Sequence, residues 1–185
     1  MLKWLLLLVS VSTYACGVPQ KQVEDFTTQV QEIVMNNDLS DKGKIKRLEG
    51  KVEKFVDMSV FTRQVLGRVY WGEANDAQKK ELVDLVFKSL VKDYAEIFLK
   101  EAVRDPQLAP YRKKDGRYQV VDVNYSDKAG KLLKVSYAVF CKNEQWKIFD
   151  LSVNGVHLSS LQKSQYKSSL EKGGVVELIK LLKTS

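Results

Sequence analysis

The hydrophobic periodicity of this chain changes once and then changes back. Between residues 20 and 98 apolar side chains recur at three- and four-residue intervals, between Tyr118 and Val153 they alternate, and between residues 160 and 182 the helical spacing returns. A chain ordered in this way builds consecutive helices, then consecutive strands joined by short turns, then helices again. The fold class that follows is α+β, with a three-stranded antiparallel meander between two helical regions. No internal repeat or Pro/Gly-rich linker interrupts the order, so the 185 residues read as one domain once a leader is discounted.

The helical faces are specific. Val23, Phe26, Val30, Ile33 and Val34 share one face over residues 20–38, and Ile45, Leu48, Val52 and Phe55 share another over residues 41–56, with Ser40 placed to cap the second helix. A shorter apolar segment runs from Val60 to Trp71 and ends at Gly72. Asn75 with Gln78 then forms a capping-box-like start to a long helix. That helix carries Leu82, Val83, Leu85, Val86, Phe87, Leu90, Val91, Tyr94, Ile97 and Phe98, an apolar arc wider than one packing stripe requires. After a loop containing Pro106 and Pro110, the strands Tyr118–Tyr125, Leu132–Cys141 and Trp146–Val153 place Val121, Val123 and Tyr125 on one face, and Leu133, Val135, Tyr137 and Val139 on one face of the next strand. Residues 160–170 and 175–182 read as helices joined at Gly173 and Gly174.

The N-terminus reads as an export signal. Lys3 supplies a positive start, Trp4 to Val11 an apolar stretch, and Ala15 or Gly17 a small residue at which a peptidase can cut. The apolar run is shorter than the roughly twenty residues a membrane span needs. Residues 1–17 are therefore expected to be a secretion signal and 18–185 the exported domain, which directs the formal net charge of +7 toward envelope lipids or proteins and away from nucleic acid. Cys16, preceded by Thr13, Tyr14 and Ala15, is a candidate for lipidation as the first residue of a lipoprotein; it otherwise leaves with the leader or stays near a frayed end. If it leaves, Cys141 is a lone cysteine in an apolar strand pattern, read as a buried small hydrophobe.

No local signature of catalysis is present in the sequence. It holds a single histidine, His157, and has no Gly-x-Ser-x-Gly elbow, phosphate-cradling glycine loop, HExxH or Cys-x-x-Cys, so neither a catalytic residue nor a metal site is assigned and no cofactor is expected. His157 is read as structural, and Asp57 and Asp150 as caps of backbone groups. Arg112, Lys113, Lys114 and Arg117 form the densest basic cluster, either a solvated loop or a docking patch for a headgroup or an anionic partner.

Two blocks carry a family resemblance. Val65-Leu66-Gly67, Tyr70-Trp71 and Ala77-Gln78-Lys79 at the head of the long helix resemble the first block of MlaC-type, or toluene-tolerance, proteins. Trp146-Lys147-Ile148-Phe149-Asp150-Leu151, Asn154-Gly155-Val156, then Lys163, Gln165, Tyr166 and Gly173 resemble the tail of the same family. The chain departs from the family's pattern at His157, where serine is common, at Lys163, where arginine is common, and at Leu161. The resemblance implies a helical layer packed against a twisted antiparallel sheet enclosing an apolar lipid cavity. It further implies a non-enzymatic periplasmic carrier of phospholipid, or of another lipid such as a hopanoid, working between an inner-membrane ABC-type transporter complex and an outer-membrane lipoprotein complex. On that implication the cavity is lined by Leu66, Val69, Trp71, Phe87, Leu90, Tyr94 and Phe98 from the helices and by Val121, Val123, Tyr125, Val135, Tyr137, Val139, Phe149, Leu151 and Val153 from the sheet. The competing expectation is an adaptor lipoprotein whose apolar faces pack only against each other.

Overall fold

A computed structural model describes residues 16–101, 104–114, 118–126 and 130–184. Each helix starts where a polar side chain or a proline supplies what the backbone lacks. α1 (Pro19–Met35) opens on a proline, whose missing N–H is no loss in a first turn. α2 (Asp41–Phe55) is capped by Ser40, whose hydroxyl accepts from the Gly43 N–H at 3.2 Å. α3 (Met58–Glu73) is capped by Asp57 through the Val60 N–H at 3.0 Å. α4 (Asp76–Glu101) has the reciprocal box its sequence suggests: the Gln78 N–H donates to Asn75 Oδ1 at 2.9 Å and the Asn75 N–H to Gln78 Oε1 at 3.0 Å. α5 (Leu158–Thr184) ends the chain and is bent at Gly173 and Gly174. α3 is broken too, at Gly67, whose φ of 75° and ψ of 173° suit glycine and almost nothing else.

The sheet is antiparallel throughout. β1 (Arg104–Leu108), β3 (Tyr118–Ser126), β4 (Leu132–Lys142), β5 (Gln145–Val153) and β6 (Val156–His157) lie in that order, and β2 (Arg112–Lys114) also pairs with β3. The expected meander is β3–β4–β5. The proline loop is shorter than expected, because the chain around it is used as edge strand: the β1–β3 register slips between Arg104 and Gln107, around Pro106, which is where a residue without an N–H is tolerated. β5 bulges at Phe149: Ala138 faces Asp150 and Val139 faces Ile148, leaving Phe149 without a partner. Its ring instead sits 5.5 Å from Tyr118 and 5.6 Å from Phe140. The link between α2 and α3 is tied to the same strand by the Asp57 N–H, which donates to the Ile148 carbonyl at 2.7 Å.

Two separate cores result. One joins α1 to the sheet through Val23, Phe26, Val121, Val123, Val135, Tyr137 and Val139, with Phe55 and Trp146 added at its margins. The other joins α3, α4 and α5 through Phe61, Val65, Leu66, Leu82, Val86, Tyr166, Leu170 and Leu178.

The cysteines are placed otherwise than expected. Cys16 and Cys141 form a disulfide with a Cα–Cα distance of 5.8 Å, so Cys141 is neither lone nor buried. Gly17 is also held, its carbonyl accepting from Trp146 Nε1 at 3.3 Å. The expected secretion signal, residues 1–17, falls almost wholly on residues 1–15, which lie outside the described residues.

Candidate functional site

Between the two cores lies a partly open cavity of about 230 Å³. α1 contributes Phe26 and Val30; α2 contributes Ile45, Leu48, Glu49 and Val52; α4 contributes Phe87, Leu90, Val91 and Tyr94. Val56, Met58, Phe61, Tyr137, Ile148, Asp150, Leu151 and Leu158 form the remainder of the wall. The wide arc of α4 is explained by this position. Leu82 and Val86 are fully buried against α3 and α5, whereas Phe87, Leu90, Val91 and Tyr94 turn toward the space.

Several polar groups at the cavity or next to it are paired within the protein. The Tyr137 and Tyr125 hydroxyls are 2.8 Å apart, and burial pushes both phenols up, Tyr137 to about 12. The Tyr94 hydroxyl accepts from Gln162 Nε2 at 3.4 Å. Asp150 Oδ1 accepts from the N–H groups of Leu151 at 2.9 Å and Ser159 at 3.2 Å. Its Oδ2 accepts from Ser159 Oγ at 2.8 Å and lies 2.9 Å from His157 Nδ1. Although aspartate, histidine and serine meet here, the serine gives its proton to the carboxylate and not to the imidazole, so the base-to-nucleophile contact of a triad is missing. Asp150 acts as an anchor for the start of α5. Among the described residues no group of His, Cys, Asp or Glu is placed to hold a metal ion.

Of the residues expected to line a cavity, Phe87, Leu90, Tyr94, Tyr137 and Leu151 do so. Val121, Val123, Tyr125, Val135 and Val139 point toward the same side of the sheet but are packed solid against α1 and its surroundings. Leu66 is buried in the other core, with Trp71 packed at its edge beneath the Lys79 ammonium, because the Gly67 break turns the end of α3 away. Val69, two residues past that break, is 66% exposed. Phe149 is put on the opposite side of the sheet by the bulge, and Val153, near the sheet's edge, is 37% exposed. The Phe98 side chain lies outside the described residues.

Phe26, Val30, Ile45, Leu48 and Val52, from the two apolar faces of residues 20–38 and 41–56, line the cavity although the sequence did not mark them as lining. In the basic cluster, Arg112 is committed to an internal ion pair: its guanidinium is 2.9 Å from the buried Asp122, which also accepts from Ser136 at 2.7 Å and faces Lys134 at 3.0 Å. Burial would raise the Asp122 carboxyl, but these three donors outweigh it and hold the group down at about 2. Arg117 and the side chains of Lys113 and Lys114 lie outside the described residues.

Helices and an open antiparallel sheet that keep an apolar chamber between them define a class of small α+β proteins shaped around a hydrophobic space. The chain belongs to the MlaC protein family, whose model matches residues 24–184. It is similar to toluene tolerance protein ttg2D of Pseudomonas putida, with 21% identity over 169 residues that cover 88% of this chain and 77% of that one. Its structure is similar to that of a phospholipid-binding protein from Ralstonia solanacearum solved in complex with a phospholipid. That match has a TM-score of 0.76 and 25% identity, and covers 90% of this chain and 96% of the other.

Proposed function

We propose that this protein is a non-enzymatic phospholipid carrier of the periplasm, which takes lipid from or delivers it to an ABC-type transporter complex at the inner membrane and a lipoprotein complex at the outer membrane. The observation that carries the reading is the apolar chamber between the two cores, in a chain whose structural relative was solved with a phospholipid. Each methylene exposed to water costs about 0.8 kcal/mol, so a lipid crosses an aqueous space at a useful rate only when its tails are enclosed. Non-directional apolar walls suit that task, since they hold tails of differing length and still release them.

The size of the chamber adds a condition. A cavity of about 150 Å³ accommodates benzene, so the 230 Å³ here hold about nine carbons in close packing, which is part of one acyl chain. Loading a whole phospholipid therefore moves a wall. α2 has the least to lose by moving, because Phe55 is its one fully buried residue and its other apolar side chains face the cavity.

The test is native mass spectrometry of protein released from the periplasm, followed by lipid extraction. A mass excess that extraction identifies as phospholipid is expected. Bare polypeptide that also takes up no phospholipid after delipidation would end the proposal, and a hopanoid in the extract would reassign the cargo.

A further inference from the structure

We infer that the leader is cut between Ala15 and Cys16, and that Cys16 enters the mature protein as its unlipidated first residue, oxidised with Cys141. The inference stands whatever the cavity carries. Three observations meet at this bond. Thr13 and Ala15 lie three and one residues before it, the positions at which a leader peptidase requires small side chains. The Cys16–Cys141 disulfide, with its Cα atoms 5.8 Å apart, lies in the range that bridges without backbone movement. Cys141 also pairs across the β4–β5 ladder with Trp146, whose indole N–H holds the Gly17 carbonyl, so two facing residues grip two consecutive ones.

The other two processing routes each conflict with this arrangement. A cut after Gly17 removes both gripped residues, leaving Cys141 as an exposed free thiol and the Trp146 N–H without its acceptor. Lipidation turns the Cys16 sulfur into a thioether, which cannot form a disulfide. It would also leave Gly17 and Val18 alone between the lipid and α1, a tether of about 7 Å that clamps the body to the membrane.

The oxidation balances through thiol–disulfide exchange. One thiolate of the pair attacks the disulfide of a thiol-oxidising protein, giving a mixed disulfide and releasing one of that protein's sulfurs as a thiolate. The second thiolate of the pair then displaces the remaining sulfur. The two thiols lose two protons and two electrons, and the oxidant is reduced to its dithiol, a reaction favoured in an oxidising compartment such as the bacterial periplasm.

Intact-mass measurement on protein from a bacterium expressing residues 1–185, prepared without reductant, tests this directly. The expected product is residues 16–185 less two hydrogens, refractory to iodoacetamide until reduced and then alkylated twice. A chain beginning at Val18, a diacylglycerol adduct that partitions into detergent, or residues 16–185 alkylated twice without reduction would each overturn the inference. Cys141→Ser is expected to be cut at the same bond and to carry one alkylatable thiol. Ala15→Tyr, with a bulky residue before the cut, is expected to keep its leader; its normal processing at Cys16 would count against the assigned bond. Should Cys141→Ser fail to accumulate, the wild-type mass decides alone.

Discussion

Replacing Leu48 with aspartate separates a cavity wall from a core. Leu48 is half-buried on α2 and faces the chamber beside Ile45 and Val52. In the empty protein a carboxylate at this position stays hydrated through the open side, so the expected loss of stability is the apolar contact alone, about 1–2 kcal/mol. For a chain of this size that lowers Tm by roughly 2–8 °C. An acyl chain in the chamber changes the balance, because it must dry the carboxylate. Losing about 1–2 kcal/mol of contact and adding a desolvation penalty of several kcal/mol weakens lipid binding by about 4 kcal/mol, or roughly a thousandfold.

The assay is displacement of a fluorescent fatty-acid probe from delipidated protein by phospholipid, with melting followed in parallel. Val121→Ala supplies the contrast. Val121 is fully buried in the α1–sheet core and does not line the chamber, so its truncation is expected to cost about 2 kcal/mol of stability and to leave affinity within about threefold. Wild-type affinity in folded Leu48→Asp, or lost affinity in folded Val121→Ala, would refute this placement of the binding wall.

Three further outcomes are expected. Because its folded-state carboxyl is held down at about 2, Asp122 contributes stability that is present above its unfolded value of about 3.9 and is lost as pH falls from about 4 to 2. Since Arg112 and Lys134 are half-exposed and screened, Asp122→Asn should cost about 1–2 kcal/mol at pH 7 and flatten that acid limb in pH-dependent denaturation. Gly67→Ala should lower denaturant stability by about 1–3 kcal/mol through its backbone conformation alone, since an added Cβ meets only Lys163 Nζ at an ordinary 3.7 Å. Asp150→Ala, which strips the start of α5 of its acceptor, should cost about 2–4 kcal/mol by chemical denaturation, against less than about 1 kcal/mol for the exposed His157→Ala.

The helices, the β3–β5 meander and the caps were legible in the sequence because their causes are local. Ser40, Asp57 and the Asn75–Gln78 box act within three residues, and alternation over Tyr118–Val153 marks a half-buried sheet whatever covers it. The chamber was less legible, since periodicity marks a face as buried without saying what meets it. Val121 and Tyr137 carry the same pattern signal, yet one is closed under α1 and the other also reaches the cavity. A single unpaired residue sends Phe149 to the far side of the sheet, and a glycine break sends Val69 into solvent; neither the bulge nor the break has a periodic signature. The disulfide was equally hidden, as 125 residues separate its cysteines and only the fold brings them together.

A carrier has to remain folded when empty as well as when loaded, and the two-core arrangement meets that demand. α1 with the sheet, and α3 with α4 and α5, each bury a set of side chains of which only Phe26, Tyr137 and Ile148 in the first and Phe61 in the second also border the chamber. Most of each core therefore packs away from the chamber, and emptying it removes little from what holds the protein together. Its α2 wall is built lightly: the polar side of this helix is held to α1 by Lys44, which donates to the Val34 carbonyl at 2.8 Å, and by Lys51, which donates to Gln29 at 2.8 Å. Such partly exposed hydrogen bonds contribute about 1 kcal/mol each, comparable to what one or two methylenes of a bound tail regain on burial. Exchange of the α2 contacts for contacts with an acyl chain is thus close to balanced, which is the energetic condition for taking up a lipid and giving it away again.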